Sequence, residues 1–182
     1  MKLEDLLGQV LAALEAEAIP YMVTGSVASS RYGEPRSTND ADVVVDPSRE
    51  QLEAFVQRIQ ADGLYVDLEA ARAAVTQRAQ FNVAALDLKV DLIVRKSDAF
   101  STSAFGRRRR VRGPALDADV ISPEDLILSK LVWAIETGSE RQLRDVEGIA
   151  AIAEGLDRRY IETWAARLNL AEAWKRIDDL DS

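Results

Sequence analysis

The chain has 182 residues, 47% of them apolar, with a formal net charge of −8 and a sequence pI near 4.7. That length and apolar share suit one domain, or one core with a small appendage, and are enough to close a hydrophobic core. The chain holds neither cysteine nor histidine, which excludes disulfides, thiolate metal sites, histidine-containing zinc sites, a Ser-His-Asp triad and any imidazole base. Any metal must therefore be held by oxygen, as Mg²⁺ or Mn²⁺ is. Any proton transfer must use a carboxylate, a lysine, a tyrosine or water. The acidic balance disfavours non-specific binding to nucleic acid or membrane surfaces by the protein as a whole. The lack of cysteine fits a reducing, cytoplasmic setting.

The first twenty residues have no basic start, and acids interrupt their apolar positions, so they do not read as a signal peptide. No stretch approaches the uncharged length of a membrane span. Leu3, Leu6, Leu7, Val10, Leu11 and Leu14 recur at helical spacing and predict an amphipathic helix over roughly 2–18, ended by Pro20. Tyr21 to Thr24 reads as a short strand, Gly25-Ser26 as a turn, and Val27 to Tyr32 as a short helix broken by Gly33-Glu34-Pro35. Asp40 to Asp46 reads as a strand. Asp46-Pro47-Ser48 starts a helix, with Pro47 at its first position and Ser48 and Gln51 as a capping box, and Asp62-Gly63 stops it. Leu64 to Val66 reads as a short strand followed by an alanine-rich helical turn.

Two alternating strands, Phe81 to Ala85 and Val90 to Val94, are joined by a tight turn near Leu86-Asp87-Leu88, a hairpin pattern. Residues 96–113 are polar and then strongly basic, and no element is assigned to them. Leu116 to Ile121 is a last short strand. From Ser122 the pattern is helical only. Ser122-Pro123-Glu124-Asp125 is a capped start, Leu126, Ile127, Leu131 and Ile135 form an apolar face, and Gly138 is a stop. Further helices are predicted over 140–153, 157–168 (capped by Asp157) and 170–180. The expected organisation is an α/β core over 1–121, a small mixed sheet with flanking helices, followed by a helical region over 122–182.

Residues two apart on a strand share a face, so Asp40 and Asp42 place two carboxylates side by side. They repel unless a cation joins them, or else they flank a strand entrance in water. Asp91 lies inside the apolar run Lys89-Val90-Asp91-Leu92-Ile93-Val94, where a carboxylate needs a partner unless it faces solvent from a strand edge. If the two strands are neighbours, three carboxylates converge. They could hold two metals, or one metal with Asp91 as the base. Gly25-Ser26, between a strand and a helix, is either a phosphate-binding turn or an ordinary tight turn. Thr24, Ser29, Arg36, Ser37 and Thr38 could add donors.

Together, VTGSVASSRYGEPRSTNDADVVVD and KVDLIV resemble the signature of the DNA polymerase β-like nucleotidyltransferase superfamily over roughly residues 21–94. The resemblance implies Mg²⁺-dependent transfer of a nucleoside monophosphate from an NTP to a hydroxyl, with release of pyrophosphate. It implies triphosphate binding by Gly25 and Ser26, metal binding by Asp40 and Asp42, and metal binding and hydroxyl activation by Asp91. The segment ISPEDLILSKLVWAIETGSERQLRDVEGIAAI looks like the one that follows the core in AbiEii-type nucleotidyltransferases of toxin–antitoxin and phage-defence pairs. That likeness implies that Lys130 and Asp145 help complete the nucleotide site. Read on their own, Lys130 is a surface lysine and Asp145 pairs with Arg141 one turn earlier.

Arg107 to Arg110 with Arg112 form the dense basic run, either a phosphate or RNA contact or a charged edge strand. Trp133, Trp164 and Trp174 fall on apolar helical faces and read as core or dimer contacts. The expected function is NTP-dependent nucleotidyl transfer to an RNA, protein or small-molecule acceptor. The alternatives are a non-catalytic partner of a paired gene's product, and a metal-dependent nuclease or phosphohydrolase.

Overall fold

A computed structural model describes residues 1–34, 38–113 and 116–179. The helix breaker Pro35 and the candidate donors Arg36 and Ser37 lie outside the described residues. The chain divides into two compact units, Met1–Val27 with Ser37–Val120, and Ala28–Arg36 with Ile121–Ser182.

The first unit is built on a seven-stranded mixed sheet. In chain order its elements are α1 (Leu3–Ala16), β1 (Tyr21–Thr24), the start of α2 (Gly25–Tyr32), β2 (Asp40–Val45), α3 (Arg49–Ala61) and β3 (Tyr65–Val66). These are followed by α4 (Leu68–Gln77), β4 (Gln80–Ala85), β5 (Leu88–Val94), α5 (Ala99–Gly106), β6 (Arg109–Val111) and β7 (Ala118–Val120). The strand order is β3-β4-β5-β2-β1-β7-β6. The β1–β7 and β2–β5 pairs are parallel, and the others are antiparallel.

Alternation along the central strands decides which face is core. Ala41, Val43 and Val45 of β2 stand in register with Val90, Leu92 and Val94 of β5, and all six are buried. Helices α1, α3 and α4 pack against one another and the sheet. The first two contribute Leu6, Val10, Leu14, Phe55 and Ile59, each essentially inaccessible. The intervening residues of the two strands, Asp40, Asp42, Lys89 and Asp91, share the opposite face.

Ser48 caps α3 with the reciprocal Gln51 box. Pro47 precedes that cap rather than occupying the first helical position, which is Arg49, a two-residue correction. Gln51 also donates to the carbonyls of Glu17 and Ala18, which ties the end of α1 to the start of α3. The alanine-rich turn extends to a ten-residue helix, capped by Asp67. Within 96–113 the chain forms α5, capped by Asp98, and the edge strand β6.

The second unit contains the end of α2 together with α6 (Pro123–Thr137), α7 (Glu140–Ile152), α8 (Arg158–Arg167) and α9 (Ala171–Asp178). Its core includes Leu126, Ile127, Leu131, Val146, Ile149, Ile161 and Trp174. The acids at the start of α6 do more than oppose the helix dipole. Asp125 is fully buried, accepts from the Ser122 hydroxyl at 2.7 Å and from the Tyr160 hydroxyl at 2.7 Å, and so joins α6 to α8. Two apolar residues of α6 depart from expectation, since Trp133 and Ile135 are more than half exposed and belong to no core. The helix buries a stripe that includes Leu126, Ile127, Leu128 and Leu131, and these two positions fall off it. Among the described residues, no helix is long and apolar enough to cross a membrane.

Candidate active site

The two central parallel strands bring the sequence-separated aspartates together. Asp42 of β2 lies directly across from Asp91 of β5, and Asp40 lies across from Lys89. Both pairs project from the face opposite the helices. Asp91 is only 7% exposed, so the solvent-facing alternative for it does not hold. Among the described residues, no three acidic side chains stand close enough as placed to enclose one cation. Instead, Lys89 Nζ lies 2.6 Å from Asp91 Oδ2. That hydrogen bond, reinforced by the charges of Asp91, Asp40 and Asp42, holds the lysine pKa above its ordinary value against the opposing effect of burial.

Gly25 joins the same place. It follows β1 and opens α2 with φ +63°, in the left-handed region that favours glycine. A Cβ built there would stand 2.7 Å from Asp42 Cγ, so the carboxylate occupies the space a side chain would fill. Thr24, the residue before, is in register with Asp42. Thr38 Oγ1 donates to Asp40 Oδ1 at 2.6 Å and orients that carboxylate. Ser29 lies in the second unit and is buried.

The residues present fit a hard divalent cation. The donors are carboxylate oxygens, and the chain has no nitrogen or sulfur ligand of the histidine or cysteine kind. Lys89 escaped the sequence reading. The signal was there, because Lys89 and Asp91 are two apart on one strand and so share a face.

Lys130 and Asp145 belong to the second unit, and they find each other. Lys130 Nζ reaches Asp145 Oδ2 at 2.7 Å and Gln142 Oε1 at 2.9 Å. The side chains are 6% and 14% exposed, so Lys130 is not a surface lysine. Removing one partner of such a pair strands a buried charge. Lys130→Ala is expected to lower unfolding stability by about 3 kcal/mol, while the paired Lys130→Met/Asp145→Leu variant recovers most of that. Urea denaturation of the three proteins checks this.

Two arginines of the run, Arg108 and Arg110, are engaged within the first unit. Arg108 stacks over Phe105, 4.5 Å from the ring centre, and its Nε approaches Asp119 at 3.4 Å. Arg110 meets Asp117 at 2.9 Å and Glu15 at 2.8 Å. Since β6 ends the sheet, these charges sit where they discourage pairing with another strand. Tyr21 completes the cluster by donating to Glu15 at 2.7 Å. Burial and then the Glu15 bond push the tyrosine pKa up to about 12. The Arg110 bond and then the Tyr21 bond hold Glu15 below the usual carboxylate range.

A depressed carboxylate pKa stabilises the folded state at pH values above the unfolded pKa, about 4.3. That stability is lost as pH falls through the folded value. Wild type should therefore exceed Glu15→Gln in urea midpoint at pH 7, with the gap closing below about pH 4.

No protein-family model matches the sequence, and no curated protein matches it. Several solved structures do match. The antibiotic-resistance factor ANT(2'')-Ia, in solution, gives a TM-score of 0.61 at 13% identity, over 98% of this chain and 97% of that one. Its crystal structure in complex with adenylyl-2''-tobramycin gives 0.61 at 15% identity, over 91% and 96%. An antigenic nucleotidyltransferase-like protein from Paracoccidioides brasiliensis gives 0.61 at 13% identity, over 98% and 91%. The fold is a nucleotidyltransferase fold. At 13–15% identity it is the architecture that is shared.

Proposed function

We propose that this chain is a Mg²⁺-dependent nucleotidyltransferase that moves a nucleoside monophosphate from an NTP to a hydroxyl on a small acceptor. The observation that carries this reading is the placement of Asp42 opposite Asp91 on adjacent parallel strands, with Gly25 against the Asp42 carboxylate. Asp40, Asp42 and Asp91 would hold the metal, with Mn²⁺ as a substitute. When bound, the metal supplies charge neutralisation at the phosphates. Gly25 and Ser26, at the N-terminal end of α2, offer backbone N–H groups to phosphate oxygens. The acceptor oxygen attacks the α-phosphorus, the bond to the bridging oxygen breaks, and pyrophosphate leaves. The hydroxyl proton passes to the Asp91 carboxylate. The chemistry needs positioning and electrostatics rather than covalent help, so it asks for no histidine.

Two facts favour a small acceptor over RNA. The chain is acidic, at −8, and Arg108 and Arg110 are engaged by Asp119, Asp117 and Glu15 rather than presented to a phosphate backbone. The ANT(2'')-Ia complex, matched over 96% of its chain, contains a tobramycin adduct, which supports the same class. The likeness of residues 121–152 to AbiEii-type proteins supports nucleotidyl transfer without naming the acceptor.

The test is incubation with labelled NTPs and Mg²⁺, offering tobramycin and other hydroxyl-bearing amines in one arm and total RNA in the other. Label on a small amine supports the proposal, and label only on RNA overturns the acceptor class. If no acceptor is labelled, and a partner protein is held tightly by both wild type and Asp42→Asn, the non-catalytic alternative replaces it.

A further inference from the structure

A carboxylate inside a strand needs a partner, because an unpaired buried charge is costly. Asp91 receives one from its own strand. Lys89, two residues earlier and on the same face, holds Oδ2 at 2.6 Å. Register sets Lys89 across from Asp40 as it sets Asp91 across from Asp42. The four side chains form a plate of three carboxylates and one ammonium on the two central strands, and Asp40 and Asp42 both add attraction to that ammonium. With the lysine in place, three negative charges and one positive leave the plate with an excess of two negative charges that attracts a divalent cation. The Lys89 side chain is 46% exposed, so its long stem can swing the ammonium into water without moving the backbone.

We infer that Lys89 is the resident counter-ion of this site, pairing with Asp91 when no divalent cation is bound and giving up Asp91 Oδ2 when one binds. This rests on Asp40, Asp42 and Asp91 being the metal ligands. Binding of the ion and pairing of the lysine then oppose each other through a shared oxygen. The coupling is reciprocal: the lysine weakens the metal as much as the metal weakens the lysine. Lys89 lowers the divalent affinity of the site and keeps the strand pair stable without the ion.

The test uses metal alone. Mn²⁺ is titrated into wild type, Lys89→Met and Lys89→Arg and followed by electron paramagnetic resonance. The methionine variant is expected to bind about tenfold more tightly, and the arginine variant to stay near wild type. In wild type with ¹⁵N-labelled lysine, Mg²⁺ alone is expected to shift the Lys89 Nζ resonance and leave Lys96 in place. A methionine variant no tighter than wild type overturns the inference. So does a Lys89 resonance that ignores Mg²⁺ in a protein that binds it, and this second readout stands even if the methionine variant fails to fold. Mn²⁺ binding by wild type with no gain in Lys89→Met removes only the role of the lysine. Failure of wild type to bind Mn²⁺ removes the metal site with it.

Discussion

Asp42→Asn is expected to reduce nucleotidyl transfer by on the order of a thousand-fold, the equivalent of several kcal/mol of lost charge stabilisation, without lowering the thermal midpoint. The substitution keeps the shape of a side chain that fits against Gly25, so packing is preserved. It removes one of the negative charges gathered at Asp40, Asp42 and Asp91, whose mutual repulsion the single Lys89 ammonium offsets only in part when no divalent cation is bound. The metal-free variant should therefore melt at or above the wild-type temperature, the trade expected where a site is built against its own stability. Side-by-side transfer assays and thermal melts check both halves. Retained transfer, or a midpoint several degrees lower, would count against Asp42 as a metal-site residue.

Gly25→Ala should harm both properties. At φ +63° an alanine is strained by about 1–2 kcal/mol, and its Cβ would overlap the Asp42 carboxylate. Either the turn or the carboxylate must move. Misplacing a reacting group by about 1 Å costs on the order of a hundred-fold in rate, so transfer should fall at least that far. Gly8→Ala is the internal control. Gly8 lies within α1 and has nothing within 4 Å of a built Cβ. Replacing it should raise stability by about 0.5–1 kcal/mol and leave transfer unchanged. Opposite signs at two glycines, read by urea denaturation and the transfer assay, would separate the site turn from a generic loss of flexibility.

Much of the fold was legible because local physics dominates it. Leu3 to Leu14 repeat at helical spacing and form α1. Ser48 with Gln51, Ser122 with Pro123, and Asp157 start their helices as such residues do elsewhere. The alternation of Phe81 and Val83 against Val90, Leu92 and Val94 is the β4–β5 hairpin. The stretch 96–113 was not legible. The capping power of Asp98 is masked by polar neighbours, and β6 is three residues long and held by its pairing with β7.

For the candidate site, the sequence by itself limited which side chains are available as ligands. Without histidine or cysteine, carboxylates and hydroxyls are the ligands available, and spacing of two put Asp40 with Asp42 on one face. Tertiary structure decided which residues meet. Whether β2 and β5 are neighbours, and in which register, depends on packing between segments far apart in the chain, and no local pattern encodes that pairing. Asp42 faces Asp91, Lys89 faces Asp40, and Arg110 turns to Glu15 rather than outward. In the helical unit, Asp145 pairs with Lys130 and not, as the alternative reading had it, with Arg141, because a buried ammonium has more to gain from a partner than a guanidinium already in water.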